Sequence, residues 1–239
     1  EHVSMTTNGS LLTDEKLSIL KSSGLDSVTL SLDTLNSDKI TRINGTKKQF
    51  DLDRVLQGIE KYFGKVKTNT VVIKGINDNE ILDITKKMIE INSEVRFIEY
   101  MDVGESNNWN IEKVVPSRDI LKSISSRYSL SLIKTDKSST AEKWSIENTN
   151  TSVGFISSIT APFCSGCNRA RLSVDGKLYT CLFANEGYDL KTIIRNGASE
   201  QDVLNYFQNI WIKRSDRYSE LRFINKSDLP KVEMSYIGG

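Results

Sequence analysis

The sequence predicts an α/β fold in which parallel strands alternate with helices. Residues 1–111 repeat one unit, made of a short β-rich run, a polar turn and a segment with apolar residues at the helical period. Gly24 and Gly64 stand where two of these helical segments end, which is a common position for glycine. The pattern changes after Met101, where a loop rich in Asn, Gly and Ser leads into a mixed region. We therefore predict two domains, residues 1–111 and 112–239.

The first region contains a series of predicted strands, each followed by a helical segment. The strands are Val3–Thr7, Val28–Leu32, Val66–Ile73 and Val95–Met101. The clearest helices begin near Thr13, Leu52 and Glu80, with a weaker helical period around Ile40 and Ile43. Strands that alternate with helices favour parallel pairing, because a crossover must return the chain before the next strand can start in the same direction.

Three consecutive strands each have one polar face, since alternate residues of a strand point to opposite sides. The polar positions are Ser4, Thr6 and Asn8, then Thr29, Ser31 and Asp33, then Lys67 and Asn69. A strand buried on both sides should be apolar on both. The three strands together therefore predict a barrel interior lined for a ligand. The structural alternative is that Ser31 and Asp33 cap the next helix and that Lys67 lies near a sheet edge.

The composition excludes several classes of function. Charged residues make up 26% of the 239 residues and the formal net charge is +1, so bulk charge cannot capture nucleic acid or a membrane surface. No apolar run approaches the ~20 residues that span a bilayer, and no secretory signal opens the sequence. All three cysteines lie within residues 164–181. This clustering favours metal ligands over disulfides, in a reducing and cytoplasmic compartment.

The second region is predicted to mix helices and strands. Helices are expected from Ser117, near Leu190–Arg195 and near Val203–Ile212. Strand-like segments are Ser129–Ile133, Lys143–Ile146, Val153–Ile159, Arg171–Val174 and Lys177–Cys181. The last two flank Asp175-Gly176, a strong signal for a two-residue hairpin turn.

The cysteines form the pattern C-x2-C-x13-C, at Cys164, Cys167 and Cys181. The predicted hairpin would fold Cys181 back towards the other two. Three thiolates so close together are soft ligands, typical of an iron–sulfur cluster or zinc. They leave one coordination position open, which is typical of a working site rather than a structural one. Two arginines follow the second cysteine, and their planar cationic forks suit phosphate or carboxylate.

Several segments together carry a family resemblance. They are Met5-Thr6-Thr7-Asn8-Gly9, Leu30-Ser31-Leu32-Asp33, Lys65-Val66-Lys67-Thr68-Asn69, Arg96-Phe97-Ile98-Glu99, Phe163–Arg171 and Ser235–Gly239. In this order they resemble the GTP 3′,8-cyclase family of radical S-adenosylmethionine (SAM) enzymes, which start molybdenum cofactor biosynthesis. The cysteine–arginine segment and the Gly-Gly end are the most specific parts of the resemblance.

The resemblance implies an incomplete TIM-type βα barrel, followed by an α+β C-terminal domain that carries an iron–sulfur cluster and covers the barrel mouth. In the family, one [4Fe-4S] cluster cleaves SAM to a 5′-deoxyadenosyl radical, which abstracts the ribose 3′ hydrogen of GTP. The new bond to C8 of guanine yields (8S)-3′,8-cyclo-7,8-dihydroguanosine 5′-triphosphate. A second [4Fe-4S] cluster holds the guanine through its free iron. The implied partners are GTP, SAM, an electron donor that the sequence does not identify, and cyclic pyranopterin monophosphate synthase as the next enzyme.

The resemblance also implies roles for individual residues. Cys164, Cys167 and Cys181 would bind the C-terminal cluster, and Ser31 and Met101 would contact SAM. The GTP contacts would be Thr6, Lys67, Arg169, Ala170 and Arg171. The final Gly238 and Gly239 would act at the active site, since residues without Cβ can enter a narrow space, with Tyr236 and Ile237 as anchors for the tail.

The chain departs from the family in one respect. The family's C-x3-C-x2-C motif for the SAM cluster and its Gly-Gly-Glu-Pro turn are absent, and no cysteine remains to bind a first cluster. The chain starts with Glu1 rather than Met, and the resemblance runs to the last residue. We therefore expect a fragment that cannot generate a radical on its own, rather than a degenerate relative.

Two other interpretations stay open at this point. A non-catalytic binding module would complete a four-ligand zinc site with His2, the only histidine. A peptide-modifying radical SAM enzyme would carry more cysteines in its C-terminal part and would have no evident use for the Cys-Asn-Arg-Ala-Arg run. Neither nucleic acid nor a membrane is expected as a partner, and the sequence leaves a homodimer open.

Overall fold

The computed structural model describes residues 1–36, 39, 40, 43, 51–136, 138–222 and 231–237. The chain divides into two compact units. The first comprises the described parts of Glu1–Tyr100 and Glu112–Thr160, and the second those of Met101–Ile111 and Ala161–Gly239. Within the described residues, no helix has the length and apolar character needed to cross a membrane.

A seven-stranded, mostly parallel sheet organises the first unit. Its strands are β1 (Ser4–Thr7), β2 (Ser27–Ser31), β3 (Lys67–Val72), β4 (Glu94–Glu99), β5 (Leu130–Ile133), β6 (Glu142–Ile146) and β7 (Ser152–Ile156). Their spatial order is β1-β2-β3-β4-β7-β6-β5. The strands β1 to β4 and β7 run parallel, while β5 and β6 pair antiparallel. The predicted α/β class is confirmed, and closure into a barrel stays a prediction.

The helices described in this unit are α1 (Asp14–Ser22), α2 (Leu52–Phe63), α3 (Ile81–Glu90) and α4 (Ser117–Ser125). Thr13 caps α1 and Asp51 caps α2, because each side chain accepts a hydrogen bond from the backbone N–H three residues further on. Gly64 ends α2 with φ at 74°, a left-handed conformation that favours glycine. The predicted start of α1 near Thr13 and the predicted end of α2 at Gly64 are therefore confirmed.

The hydrophobic core of the first unit lies between one face of the sheet and these helices. Strand residues such as Leu30 and Phe97 are fully buried against helix residues such as Ile59, Ile84 and Ile120. Each such burial contributes about 1.5–3 kcal/mol. The core thus fixes which face of each strand points towards the helices and leaves the opposite, polar face for other contacts.

Glu99 is a buried carboxylate at the end of β4, with 0% of its surface exposed. Its Oε1 accepts a hydrogen bond from the Ser117 N–H at 2.8 Å, and its Oε2 accepts from the N–H groups of Ile159 and Thr160, each at 2.8 Å. A buried carboxylate requires such donors. Glu99 therefore ties the start of α4 and the segment after β7 to the end of β4.

The second unit contains a small antiparallel sheet and short helices. Its strands are β8 (Arg171–Leu172), β9 (Lys177–Tyr179) and β10 (Tyr188–Asp189), in the order β10-β9-β8. The helices described are α5 (Leu190–Arg195), α6 (Glu200–Ile212) and α7 (Tyr218–Leu221). Ser199 and Asp202 form a reciprocal capping box at the start of α6.

The β8–β9 hairpin is confirmed, but its turn is longer than predicted. The Ser173 N–H donates to the Lys177 carbonyl at 2.9 Å, so the loop is Val174–Gly176 rather than Asp175-Gly176 alone. Gly176 has φ at 84°. A left-handed glycine closing a three-residue loop is a common hairpin geometry, in which the Asp-Gly pair supplies the last two positions.

The packing of the chain does not follow the predicted boundary at residue 111. Residues 112–160 belong to the first unit, because β7 pairs in parallel with β4 and brings β5 and β6 into the same sheet. Residues 101–111 belong to the second unit. A division into two functional domains at residue 111 stays a prediction.

Candidate functional site

The three cysteines lie on two segments of the second unit. Cys164 opens a short 3-10 turn, and the Cys167 N–H donates to the Cys164 carbonyl at 3.1 Å. Cys181 follows β9, and its Sγ accepts a hydrogen bond from the Phe183 N–H at 3.4 Å. All three are free thiols of intermediate exposure. They are accessible enough to bind a ligand and are not paired with each other.

The surroundings of Cys181 raise its pKa. Burial has the largest effect, the Phe183 N–H opposes it, and the negative charges of Asp216, Cys164 and Cys167 raise the pKa further. The expectation that the hairpin returns Cys181 to the first two cysteines stays a prediction.

The surroundings of Cys167 lower the pKa of its thiol. Burial alone would raise its pKa, but hydrogen bonds from the Arg169 backbone N–H and from the Arg214 and Arg169 side chains outweigh burial. The result is a pKa of about 7. Since the thiolate is the form that binds metals, the surroundings of Cys167 favour ligation near neutral pH.

Arg169 and Arg171 flank the exposed Ala170. Arg169 donates to the Cys167 sulfur through Nε at 3.3 Å and Nη2 at 3.1 Å, and lies over the Phe163 ring at 5.0 Å. Arg171 begins β8 and is half-buried, and burial together with the neighbouring Arg169 charge lowers its pKa. The predicted arginines therefore concentrate positive charge beside the thiols.

Arg214 belongs to the same cluster and was missed by the sequence analysis. It lies 47 residues from Cys167, and its Nη1 donates to the Cys167 carbonyl at 2.7 Å while its Nη2 donates to the Cys167 sulfur at 3.2 Å. Its Nε pairs with Asp216 at 3.0 Å. In the sequence only the Arg-Ser-Asp pattern marks this position, and that pattern equally suits a surface ion pair.

The predicted polar face in the first unit is confirmed as one face of the sheet. Thr6 lies opposite Thr29, which lies opposite Lys67. Ser31 lies opposite Asn69 in the next row of the same face. The predicted GTP contacts Thr6 and Lys67 and the predicted SAM contact Ser31 thus share one surface.

The structural alternative fails for Lys67, which is in β3, between β2 and β4, and so does not lie at a sheet edge. Asp33 accepts a hydrogen bond from the Val71 N–H at 2.7 Å, which links it to β3. Capping of the next helix by Ser31 or Asp33 stays a prediction, because most of residues 37–50 lie outside the described part of the chain.

Further polar groups on this face were not singled out from the sequence. Glu94 pairs with Lys143 at 2.9 Å, and the Nε of Arg96 lies 3.7 Å from the Glu94 Oε1. Among the described residues, Asn69 Oδ1, Glu94 Oε1 and Arg96 Nε are buried without a hydrogen-bond partner. Such atoms are uncommon in proteins and are often satisfied by bound water or a ligand. In the sequence, Arg96 inside the otherwise apolar run Val95–Ile98 was the one sign that this strand also has a polar face.

Asp33 lies at the carboxyl end of β2. Burial raises its pKa to about 6, and the Val71 N–H offsets only part of this shift. Carboxyl ends of parallel strands are where α/β sheets bind ligands, and perturbed carboxyl groups cluster at functional sites. Asp33 is therefore a candidate site residue that the sequence analysis treated only as part of a polar face.

Met101, the second predicted SAM contact, is half-buried in the second unit. The next residue, Asp102, is buried and accepts hydrogen bonds from Lys231 at 2.7 Å, Tyr218 at 2.7 Å and Arg222 at 2.8 Å. These contacts fix the backbone directly after Met101.

Of the two predicted anchors of the C-terminal tail, Ile237 is buried at 1% exposure, whereas Tyr236 is 42% exposed. Interaction with the Asp175 carboxylate raises the pKa of Tyr236 to about 12. Gly238 and Gly239, predicted to act at the active site, lie outside the described residues.

The zinc alternative gains no support. His2 contacts Ser27 at 3.0 Å and Asp26 at 3.7 Å, both in the first unit. Within the part of the chain that the structure describes, no three His, Cys, Asp or Glu side chains are arranged to hold a single metal ion.

Comparison with known proteins identifies the family. The Radical SAM superfamily model matches residues 1–88, and the Molybdenum Cofactor Synthesis C model matches residues 93–220. The GTP 3′,8-cyclase of Aquifex aeolicus (strain VF5) is 41% identical over 240 residues, which cover 99% of this chain and 71% of the relative. The GTP 3′,8-cyclase of Synechococcus sp. (strain CC9902) is 36% identical over 253 residues, covering 100% of this chain and 73% of the relative. The chain belongs to the GTP 3′,8-cyclase family.

Membership of the GTP 3′,8-cyclase family confirms the resemblance drawn from the sequence. A GTP 3′,8-cyclase of Staphylococcus epidermidis (strain ATCC 12228 / FDA PCI 1200) is also 37% identical, over 100% of this chain and 72% of the relative. Thr6, Ser31 and Lys67 fall within the radical SAM match, whereas the cysteines and arginines fall within the molybdenum cofactor match. The two clusters of polar residues therefore belong to two different family segments.

Proposed function

We propose that this chain provides the GTP-binding and C-terminal cluster-binding part of a GTP 3′,8-cyclase. That enzyme uses SAM to convert GTP to (8S)-3′,8-cyclo-7,8-dihydroguanosine 5′-triphosphate in the first step of molybdenum cofactor biosynthesis. The observation that carries the proposal is the Cys167 sulfur held by the Arg169 and Arg214 guanidinium groups, on a segment that also carries Cys164 and Arg171. The guanidinium groups suit an anionic substrate, and the thiolates suit a soft metal.

Three thiolates are a donor set that suits a [4Fe-4S] cluster, in which each thiolate binds a different iron atom. Cys164, Cys167 and Cys181 would be the ligands, and the missing fourth thiolate would leave one iron able to bind the guanine. A reducing, cytoplasmic setting would keep these thiols available.

The remaining roles divide between the two units. In the first unit Thr6 and Lys67 would contact GTP and Ser31 would contact SAM; in the second, Arg169, Ala170 and Arg171 would contact GTP and Met101 would contact SAM. Each hydrogen bond from a cationic side chain to GTP would contribute about 1.5–3 kcal/mol. Within the described residues, Lys67 has no ion-pair partner and would be available to an anionic ligand.

The chain as printed has no cysteines beyond these three. A SAM-cleaving cluster would therefore have to come from sequence outside it, and the chain by itself would make no 5′-deoxyadenosine. The electron donor, a homodimer and coupling to cyclic pyranopterin monophosphate synthase are further parts of the proposal.

The decisive experiment uses the complete gene product that contains this chain, purified and reconstituted without oxygen. With GTP, SAM and dithionite it should form the cyclised nucleotide, measured by mass spectrometry, together with 5′-deoxyadenosine. Cys164→Ser should lose the iron of the C-terminal cluster and the cyclised product, while SAM cleavage continues. Ser165→Ala, in the same turn, is the matched control and should behave as the parent. Absence of cyclised product from the parent protein, or an unchanged iron content in Cys164→Ser, would refute the proposal.

A further inference from the structure

Arg214 donates hydrogen bonds to both the main chain and the side chain of Cys167. One guanidinium nitrogen donates to the Cys167 carbonyl at 2.7 Å and another donates to its sulfur at 3.2 Å. A planar guanidinium can span two acceptors in this way, whereas an ammonium cannot reproduce the same fork. The contact therefore fixes the position of the sulfur relative to its own backbone.

Arg214 is itself held from two other sides. Its third nitrogen pairs with Asp216 at 3.0 Å, and the guanidinium lies over the Trp211 ring at 4.6 Å. Its side chain is only 10% exposed. These contacts orient the fork before any ligand arrives, and a pre-oriented donor loses little freedom when it binds.

Arg169 also donates to the Cys167 sulfur, but it is held differently. Both of its hydrogen bonds go to that one sulfur, and its other contact is the Phe163 ring. If Arg169 turns to GTP, as proposed above, Arg214 keeps its bond to the Cys167 carbonyl and its ion pair with Asp216. Arg214 is therefore the donor that stays on the sulfur throughout.

We propose that Arg214 is a positioning residue for the C-terminal cluster, which donates an N–H to the Cys167 thiolate and raises the reduction potential of the cluster. The inference rests on the proposed function, because it takes Cys167 as a cluster ligand. Hydrogen bonds to ligand sulfurs set cluster potentials, and groups behind the ligands orient them. When the cluster accepts one electron from a reductant it gains one negative charge. A cationic N–H donor stabilises that charge.

A purely structural role would give a different result. If Arg214 only joined the end of α6 to the cysteine turn, its loss would lower the free energy of unfolding but leave the potential of any cluster formed unchanged. The potential is therefore the informative readout. Arg217 offers a matched control, since it lies three residues away and pairs with Glu220 at the surface.

The experiment loads the chain anaerobically with iron and sulfide and follows a dithionite titration by electron paramagnetic resonance. The parent chain, Arg214→Gln, Arg214→Lys and Arg217→Gln are compared, with iron and sulfide counted in each. The midpoint potential of Arg214→Gln should shift to more negative values, and that of Arg217→Gln should equal the parent's. Arg214→Lys should fall between the parent and Arg214→Gln, because it keeps the charge but not the fork.

The outcomes separate the two proposals. A parent chain that binds no iron contradicts the cluster site itself and leaves nothing for Arg214 to position. A parent chain that binds the cluster, with the same potential in Arg214→Gln, overturns the role of Arg214 alone. If Arg214→Gln fails to hold iron, the midpoint potential of Arg214→Lys becomes the test. A potential equal to the parent's in Arg214→Lys overturns the hydrogen-bond role of Arg214.

Discussion

The Asp102 carboxylate accepts a hydrogen bond from the Lys231 ammonium at 2.7 Å and thereby joins two segments that are 129 residues apart. Arg222, with a side chain only 3% exposed, donates to the same carboxylate at 2.8 Å. Asp102 directly follows Met101, and Lys231 precedes the C-terminal tail. The buried Asp102 carboxylate thus links the segment after Met101 to the segment that precedes the C-terminal tail.

Asp102→Asn should destabilise the second unit strongly. The substitution removes the negative charge that pairs with the buried Arg222, and removing one partner of a buried ion pair costs about 3–5 kcal/mol. Urea unfolding of the chain measures the loss. Asp136→Asn, at an exposed position, makes the same chemical change and should leave the free energy of unfolding near the parent value.

The destabilisation caused by Asp102→Asn should also depend on pH. Although burial opposes it, hydrogen bonds from Lys231 and Tyr218 and the Arg222 charge lower the pKa of Asp102 in the folded chain. Its contribution to stability is therefore present above the unfolded carboxyl pKa of about 3.9 and is lost as pH falls through the folded pKa. The difference between parent and Asp102→Asn should shrink at acidic pH. If the difference in the free energy of unfolding stays the same at acidic pH, the destabilisation comes from a change in packing and not from the loss of the Asp102 charge.

Asp33→Asn should stabilise the folded chain at neutral pH, whereas Asp102→Asn should destabilise it. The folded pKa of about 6 lies above the unfolded value, so ionisation of Asp33 opposes folding as pH rises through this range. Asparagine can keep an oxygen for the Val71 N–H and removes the buried charge, so the variant should be more stable than the parent at pH 7 by about 1–3 kcal/mol. Below about pH 4 the gain should vanish. Equal stability of both proteins across the pH series would rule out a buried, ionised Asp33.

Arg171→Ala should weaken GTP binding at least tenfold, as measured by calorimetry on the complete gene product. The proposed contact is a charged hydrogen bond, and the loss of one such bond corresponds to about 1.5–3 kcal/mol. Iron content should stay at the parent level. Arg195→Ala, at an exposed position of α5, is the control for a general loss of positive charge. Parent-like GTP affinity in Arg171→Ala would remove this residue from the site.

Removal of Gly238 and Gly239 from the complete gene product should stop formation of the cyclised nucleotide but leave GTP affinity nearly unchanged. The buried Ile237 should keep the tail docked without the two glycines. Adding one alanine after Gly239 should have the same effect as the deletion. Cyclised product at the parent rate in either variant would show that the glycines have no part in the chemistry.

Local sequence patterns predicted the features that depend on neighbouring residues. The helix start near Thr13, the helix end at Gly64 and the β8–β9 hairpin all follow from short-range hydrogen bonding and backbone conformation. The polar face with Thr6 and Lys67 followed from the two-residue period of strands. These predictions succeed because the physical cause lies within a few residues.

Long-range contacts could not be predicted in the same way. The pairing of β4 with β7 brings residues 112–160 into the first unit, although nothing in either strand specifies the other. Arg214 reaches Cys167 across 47 residues, and a guanidinium beside a carboxylate in sequence usually forms an exposed pair. Asp33 and Glu94 acquire their unusual surroundings only when the sheet assembles.

In the proposed function, GTP binds at a cluster held by Cys164, Cys167 and Cys181. The most direct test is the electron paramagnetic resonance spectrum of the reduced, cluster-loaded chain, recorded with and without saturating GTP. If guanine binds the iron that has no protein thiolate, GTP should change the spectrum. A spectrum that stays identical after GTP is added, or a chain that takes up only zinc, would contradict the account.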